Sequence, residues 1–108
     1  MTAKLPLDLN RAELATVEAI LAKHVPDADI WVFGSRATGQ SKKYSDLDLC
    51  IKANHSLGLD VMSALAEDFS ESDLPWKVDM VDWWCVSDEF RAIMDRDRIK
   101  LDNRVSKT

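Results

Sequence analysis

The segment Asp46-Leu47-Asp48-Leu49-Cys50-Ile51 constrains this chain more than any other. Alternation along it has the period of a strand. Asp46, Asp48 and Cys50 go to one face, and Leu47, Leu49 and Ile51 go to the other. The apolar face needs a covering layer. The opposite face carries two carboxylates roughly 6 to 7 Å apart. Like charges at that range repel unless a cation is shared between them. Magnesium suits such a pair, because it takes oxygen ligands and keeps waters and substrate phosphates in its remaining positions. The plainer alternative makes Asp46 a strand cap and Asp48 a surface residue.

The rest of the chain reads as a sheet with helices around that strand. Residues 8–24 form a helix, with Asn10 and Glu13 at capping-box spacing and Leu14, Val17, Ile20 and Leu21 as its apolar stripe. Residues 28–33 form a strand that ends at Gly34. A second long helix spans 56–70, with Ser56 as N-cap and Leu59, Met62, Leu65, Ala66 and Phe69 packed inward. Residues 76–84 read as a third strand. Ser87 or Asp88 caps a last helix that carries Phe90, Ile93 and Met94 inward, and Ile99 starts a short final element. This order gives the α+β class: one mixed sheet with helices mainly on one face, the 56–70 helix being long enough to cross between parallel strands. A single domain over 1–108 is expected, with 102–108 a frayed tail.

Two further features carry chemistry. The strand before Gly34-Ser35 runs into a tight turn and a short helix, and free N–H groups at such a turn attract anions. Ser35 adds a hydroxyl, Arg36 lies beside it, and Lys42 and Lys43 follow in the loop. Ser35 as a simple N-cap, Gly39 as a C-cap and two solvated lysines are the bland readings. Val78-Asp79-Met80-Val81-Asp82 places two acids inside an apolar strand, on opposite faces. One of them can join Asp46 and Asp48 to complete a two-metal centre for phosphoryl transfer. Spacing alone leaves Asp79 and Asp82 both open.

Composition narrows the partners. The 108 residues carry 19 Asp+Glu against 14 Lys+Arg, a net charge of −5, which argues against non-specific duplex DNA binding. No apolar run spans a bilayer and the N-terminus lacks a signal pattern, so a cytoplasmic protein without membrane contact is expected. Two cysteines, Cys50 and Cys85, are too few for a disulfide scaffold. Of four tryptophans, Trp31 is read as core. Trp83 and Trp84 are adjacent, so one is exposed, in an interface or a base-stacking platform, unless both pack under the last helix with Phe90 and Ile93. His24 ends the first helix, where a cation is favoured, and His55 at a helix start is read as a surface residue.

Taken together, Gly34-Ser35-Arg36-Ala37-Thr38-Gly39, Ser45-Asp46-Leu47-Asp48-Leu49 and Val78-Asp79-Met80-Val81-Asp82 resemble the minimal nucleotidyltransferases of the DNA polymerase beta superfamily. The resemblance covers about residues 12 to 95. Residues 25–27, 42–49 and 70–76 look especially like a small bacterial nucleotide-binding subunit that works with a separately encoded helical, HEPN-like substrate-binding protein; related pairs are toxin–antitoxin modules. The resemblance implies that Asp46, Asp48 and Asp79 are the catalytic carboxylates and metal ligands, Asp79 being the third of them, and leaves Asp82 outside the triad. It implies that Gly34 and Ser35 form the phosphate turn. It also implies Mg2+, with two ions alongside nucleotide, ATP as donor, transfer of AMP to an acceptor hydroxyl, and release of pyrophosphate. A subunit that binds nucleotide without turnover, or an antitoxin, is the alternative function; a homodimer is the alternative assembly.

Overall fold

The computed structural model of the chain describes residues 9–38 and 45–101. Helix α1 (Arg11–His24) opens on the expected capping box: Asn10 Oδ1 accepts from Glu13 N–H at 2.7 Å, and Glu13 Oε1 accepts from Asn10 N–H at 3.0 Å. Strand β1 (Asp29–Phe33), the short helix α2 (Ser35–Thr38) and strand β2 (Leu47–Lys52) follow. Then come α3 (Gly58–Ser70), β3 (Val78–Asp82), a 3-10 turn (Trp83–Cys85), α4 (Asp88–Asp97) and β4 (Ile99–Leu101).

The strands form one sheet in the order β3-β2-β1-β4. β1 is antiparallel to β2 and β4, whereas β2 and β3 run parallel. Parallel neighbours need a long crossover, and α3 supplies it. One face carries Ile30, Val32, Leu47, Leu49 and Ile51, all fully buried. They share a core cluster with Val17 and Leu21 of α1 and Leu65 and Phe69 of α3. Each such side chain contributes about 1.5–3 kcal/mol of transfer free energy, so the DLDLCI alternation orients β2 before any site chemistry is considered.

Several boundaries differ from the sequence reading. Ser56 does not cap α3. Leu57 is the N-cap and uses no side-chain bond; its N–H donates instead to Asp82 Oδ2 at 2.7 Å. α3 starts later than expected and its packed stripe is rotated: Leu59 is 80% exposed, Ala66 is exposed, and Leu57 and Val61 join Leu65 and Phe69 at the core. The third strand stops at Asp82, because that carboxylate turns back to accept from Trp84 N–H at 3.1 Å and winds Trp83–Cys85 into a 3-10 turn. Ile93 is exposed rather than inward, while Met94 is buried. Residues 102–108, expected as a tail, lie outside the described residues.

The opposite face of the sheet bears Trp31, Phe33, Asp48, Cys50, Asp79 and Val81. α4 reaches it through Phe90, edge-on to Phe33 with centroids 5.5 Å apart. Trp31 packs on Trp83 at 5.7 Å and lies under Arg98, whose guanidinium is 4.3 Å from its centroid. Arg91 covers Trp83 at 4.6 Å and donates to its carbonyl at 2.8 Å. Trp84 is exposed, and its indole N–H donates to Ala53 O at 2.9 Å. Of the adjacent pair, then, one ring is partly covered and the other faces outward. Cys50 and Cys85 are both free thiols, and burial pushes the Cys50 thiol up to about 11.

Candidate nucleotide site

The site grows from the end of β1. Phe33, Asp48 and Asp79 are register partners across β1, β2 and β3, so the two carboxylates are neighbours on one face. Asp46 lies two residues before Asp48, just ahead of β2. Asp82 pairs with Ile51 three positions further along, on the core face. There it is 7% exposed and accepts from both Leu57 and Trp84 N–H groups. The period of the strand thus separates the two acids that spacing alone left open: Asp79 stands beside Asp48, and Asp82 closes the start of α3 onto the end of β3.

Gly34 completes the row. Its φ is +76°, a conformation that a side chain resists. A Cβ there would also collide with Asp48 Oδ2. Glycine therefore lets the turn approach the carboxylate directly. Its carbonyl accepts from Ala37 N–H at 3.0 Å and Thr38 N–H at 3.2 Å, which winds Ser35–Thr38 into α2.

Crowding shows in the electrostatics. Burial first, and the Asp79 and Asp46 carboxylates next, push Asp48 from 3.8 up to about 6. Asp48 is half-buried, Asp46 is partly buried and Asp79 is exposed. Among the described residues no group of three His, Cys, Asp or Glu side chains is arranged to hold a metal ion unaided. A cleft of about 670 Å³ opens beside Asp46, lined also by Phe69, Leu74, Trp76 and Lys77.

The remaining expected residues are distributed differently. Arg36 is buried, its guanidinium 4.5 Å from the centroid of Trp76 and its Nε donating to Ser45 O at 3.0 Å. Lys42, Lys43 and Gly39 lie outside the described residues. Trp76 is the neighbour that sequence reasoning passed over; a tryptophan just ahead of an acid-bearing strand was the available signal.

A mixed sheet with carboxylates from two parallel strands against a glycine turn defines a protein of the nucleotidyltransferase fold. A family model described as nucleotidyltransferase domain matches residues 14–106, and the chain belongs to that family. It is 50% identical over 94 residues to the Haemophilus influenzae protein named "Probable protein adenylyltransferase MntA", spanning 87% of this chain and 82% of that one. Among solved structures it is similar to a toxin–antitoxin complex with AMP-PNP. That match has a TM-score of 0.71 and 25% identity, covering 82% of this chain and 71% of the other. A mutant MntA–HpeT toxin–antitoxin structure matches with a TM-score of 0.68 and 26% identity, over 86% of this chain and 72% of the other. The resemblance seen in the motifs is therefore one of family, and the chain is a nucleotidyltransferase.

Proposed function

We propose that this protein is a magnesium-dependent adenylyltransferase that moves AMP from ATP to a hydroxyl of a partner protein. The observation that carries this reading is the Phe33–Asp48–Asp79 row beside Gly34. Carboxylates gathered tightly enough to raise Asp48 to about 6 fit a hard divalent cation, which relieves their repulsion. Magnesium is usually held by one or two carboxylates plus substrate phosphates, so a set of residues that cannot hold a metal alone is no obstacle. Asp46 and Asp48 would hold it, and bound magnesium supplies charge neutralisation on the phosphates.

The chain's own residues then divide the work. The Gly34–Ser35 turn receives the phosphates, with Lys42 and Lys43 as further phosphate partners and Arg36 acting through the turn. Asp79, exposed on the outermost strand, orients the acceptor hydroxyl and takes its proton. As the acceptor oxygen bonds to the α-phosphorus, the bond to the bridging oxygen breaks and pyrophosphate leaves with the electron pair. The relative's name supports a protein acceptor, and the solved complexes support an ATP-like nucleotide and a toxin as partner; the helical, HEPN-like character of that partner is carried over from the motif resemblance. The second reading is an antitoxin that binds nucleotide without turnover; the toxin–antitoxin complex with AMP-PNP supports its antitoxin and nucleotide parts. A single domain and a cytoplasmic setting complete the proposal. Among the described residues no helix is long and apolar enough to cross a membrane.

Calorimetric titration with AMP-PNP, with and without magnesium, tests the site. Binding that ignores magnesium and survives Asp46→Asn plus Asp48→Asn refutes it. Intact-mass spectrometry of the co-expressed partner after incubation with ATP separates the two readings. One added adenylyl group establishes transfer, and an unmodified partner leaves the binding role.

A further inference from the structure

Arg36 is a charged side chain only 5% exposed, on a helix of four residues. A buried guanidinium is costly unless it is well bonded, and its contacts are specific. Nε donates at 3.0 Å to the carbonyl of Ser45, the residue immediately before Asp46. The guanidinium stacks 4.5 Å from the ring centroid of Trp76, itself 7% exposed. Trp76 leads into Lys77, whose carbonyl accepts Leu47 N–H at 2.9 Å at the head of the parallel pair. One side chain therefore touches the turn that carries Gly34 and Ser35, the approach to Asp46 and Asp48, and the approach to Asp79.

We propose that Arg36 and Trp76 form a clamp that sets the spacing between the glycine turn and the carboxylate row, making Arg36 a positioning residue. The consequence for nucleotide rests on the function proposed above; the clamp itself rests on the geometry alone. Arginine is required because its planar group stacks on the ring and donates from Nε at the same time. Lysine keeps the charge and loses both. Phenylalanine at 76 keeps a ring face, whereas leucine does not. A purely space-filling role would loosen the whole core together. A clamp loosens only the segments it joins.

The test is amide hydrogen exchange, followed by NMR on the full chain, for the wild type, Arg36→Lys, Trp76→Phe and Trp76→Leu, with AMP-PNP and magnesium titrations alongside. In Arg36→Lys and Trp76→Leu the Leu47, Ala37 and Thr38 amides are expected to exchange about tenfold faster, while those of Ile30, Leu49 and Ile51 keep their protection. Magnesium-dependent AMP-PNP affinity falls about tenfold in the same variants, and Trp76→Phe retains most of it. The Arg36→Lys/Trp76→Leu double variant is no worse than either single one. Unchanged exchange at Leu47, or equal acceleration of every core amide, overturns the clamp. Local acceleration in a protein that shows no magnesium-dependent nucleotide binding upholds the clamp and sinks the nucleotide reading instead.

Discussion

Asp48→Asn should make the metal-free protein more stable while abolishing its chemistry. In the folded chain Asp48 ionises near 6, against 3.8 ordinarily, because of burial and the Asp79 and Asp46 carboxylates. Between those values the fold holds a proton that the unfolded chain has released. Stability from this group is thus fully present below about 3.8, and is lost as pH rises toward 6. A shift of two units sets a ceiling of about 3 kcal/mol at about 1.4 kcal/mol per unit. Asp48 is only half-buried, so solvent screening reduces this to about 1–2 kcal/mol. For a chain of this length each kcal/mol moves the melting temperature by about 4–8 °C. With EDTA at pH 7.5 the variant should melt about 4–16 °C above the wild type. At pH 4 the two should nearly coincide. Saturating magnesium and AMP-PNP should reverse the order, since ligand at 100 times its Kd adds about 2.7 kcal/mol to the wild type alone. Thermal melts from pH 4 to 8, with and without ligand, read all three. A variant less stable at pH 7.5 in EDTA, or an advantage that does not shrink toward pH 4, would refute the crowding argument.

Asp82→Ala strands the N–H groups of Leu57 and Trp84 and should cost about 2–4 kcal/mol by urea titration, with Asp82→Asn milder; an Asp82→Ala change below 0.5 kcal/mol contradicts the latch. Gly34→Ala meets Asp48 Oδ2 and an unfavourable φ, so magnesium-dependent AMP-PNP binding should weaken at least tenfold in calorimetry, and unaltered affinity would count against the close approach. Leu59→Ser should leave stability within about 0.5 kcal/mol, whereas Leu65→Ala should cost about 2–5 kcal/mol; equal losses in chemical denaturation would mean that the face of α3 is wrongly assigned.

What was legible in the sequence was local. The Asn10–Glu13 capping box spans three residues and forms as read. The two-residue period placed Asp48 with Asp46, and it separated Asp79 from Asp82 before any pairing was known. What was not legible depended on contacts distant in sequence. Ser56 looked like a cap until Asp82, far along the chain, took over the start of α3. The helical period allows more than one apolar stripe on α3, and docking chose Leu57–Val61–Leu65–Phe69 over the one through Leu59. Spacing left Asp79 and Asp82 both open; the family resemblance pointed to Asp79, and the parallel register sets it beside Asp48. Arg36 read as a charge beside the phosphate turn because nothing local announces a tryptophan beneath it. The Trp83–Trp84 pair resolved only because one carboxylate bends the chain between strand and turn.

The parallel pairing of β2 with β3 has a consequence for how the protein is lost as well as how it works. Asp48 and Asp79 are neighbours in space only because residues 53–77 carry the chain over α3 and back. That span holds exposed stretches at 54–56 and around Glu71, Asp73 and Pro75. A protease that cuts there leaves every strand intact, yet it separates the third acid covalently from the first two. If the two pieces part, their reunion depends on concentration and no longer on chain length. A single nick thus leaves the carboxylate row resting on the β2–β3 pairing and the shared core alone, without the covalent tether.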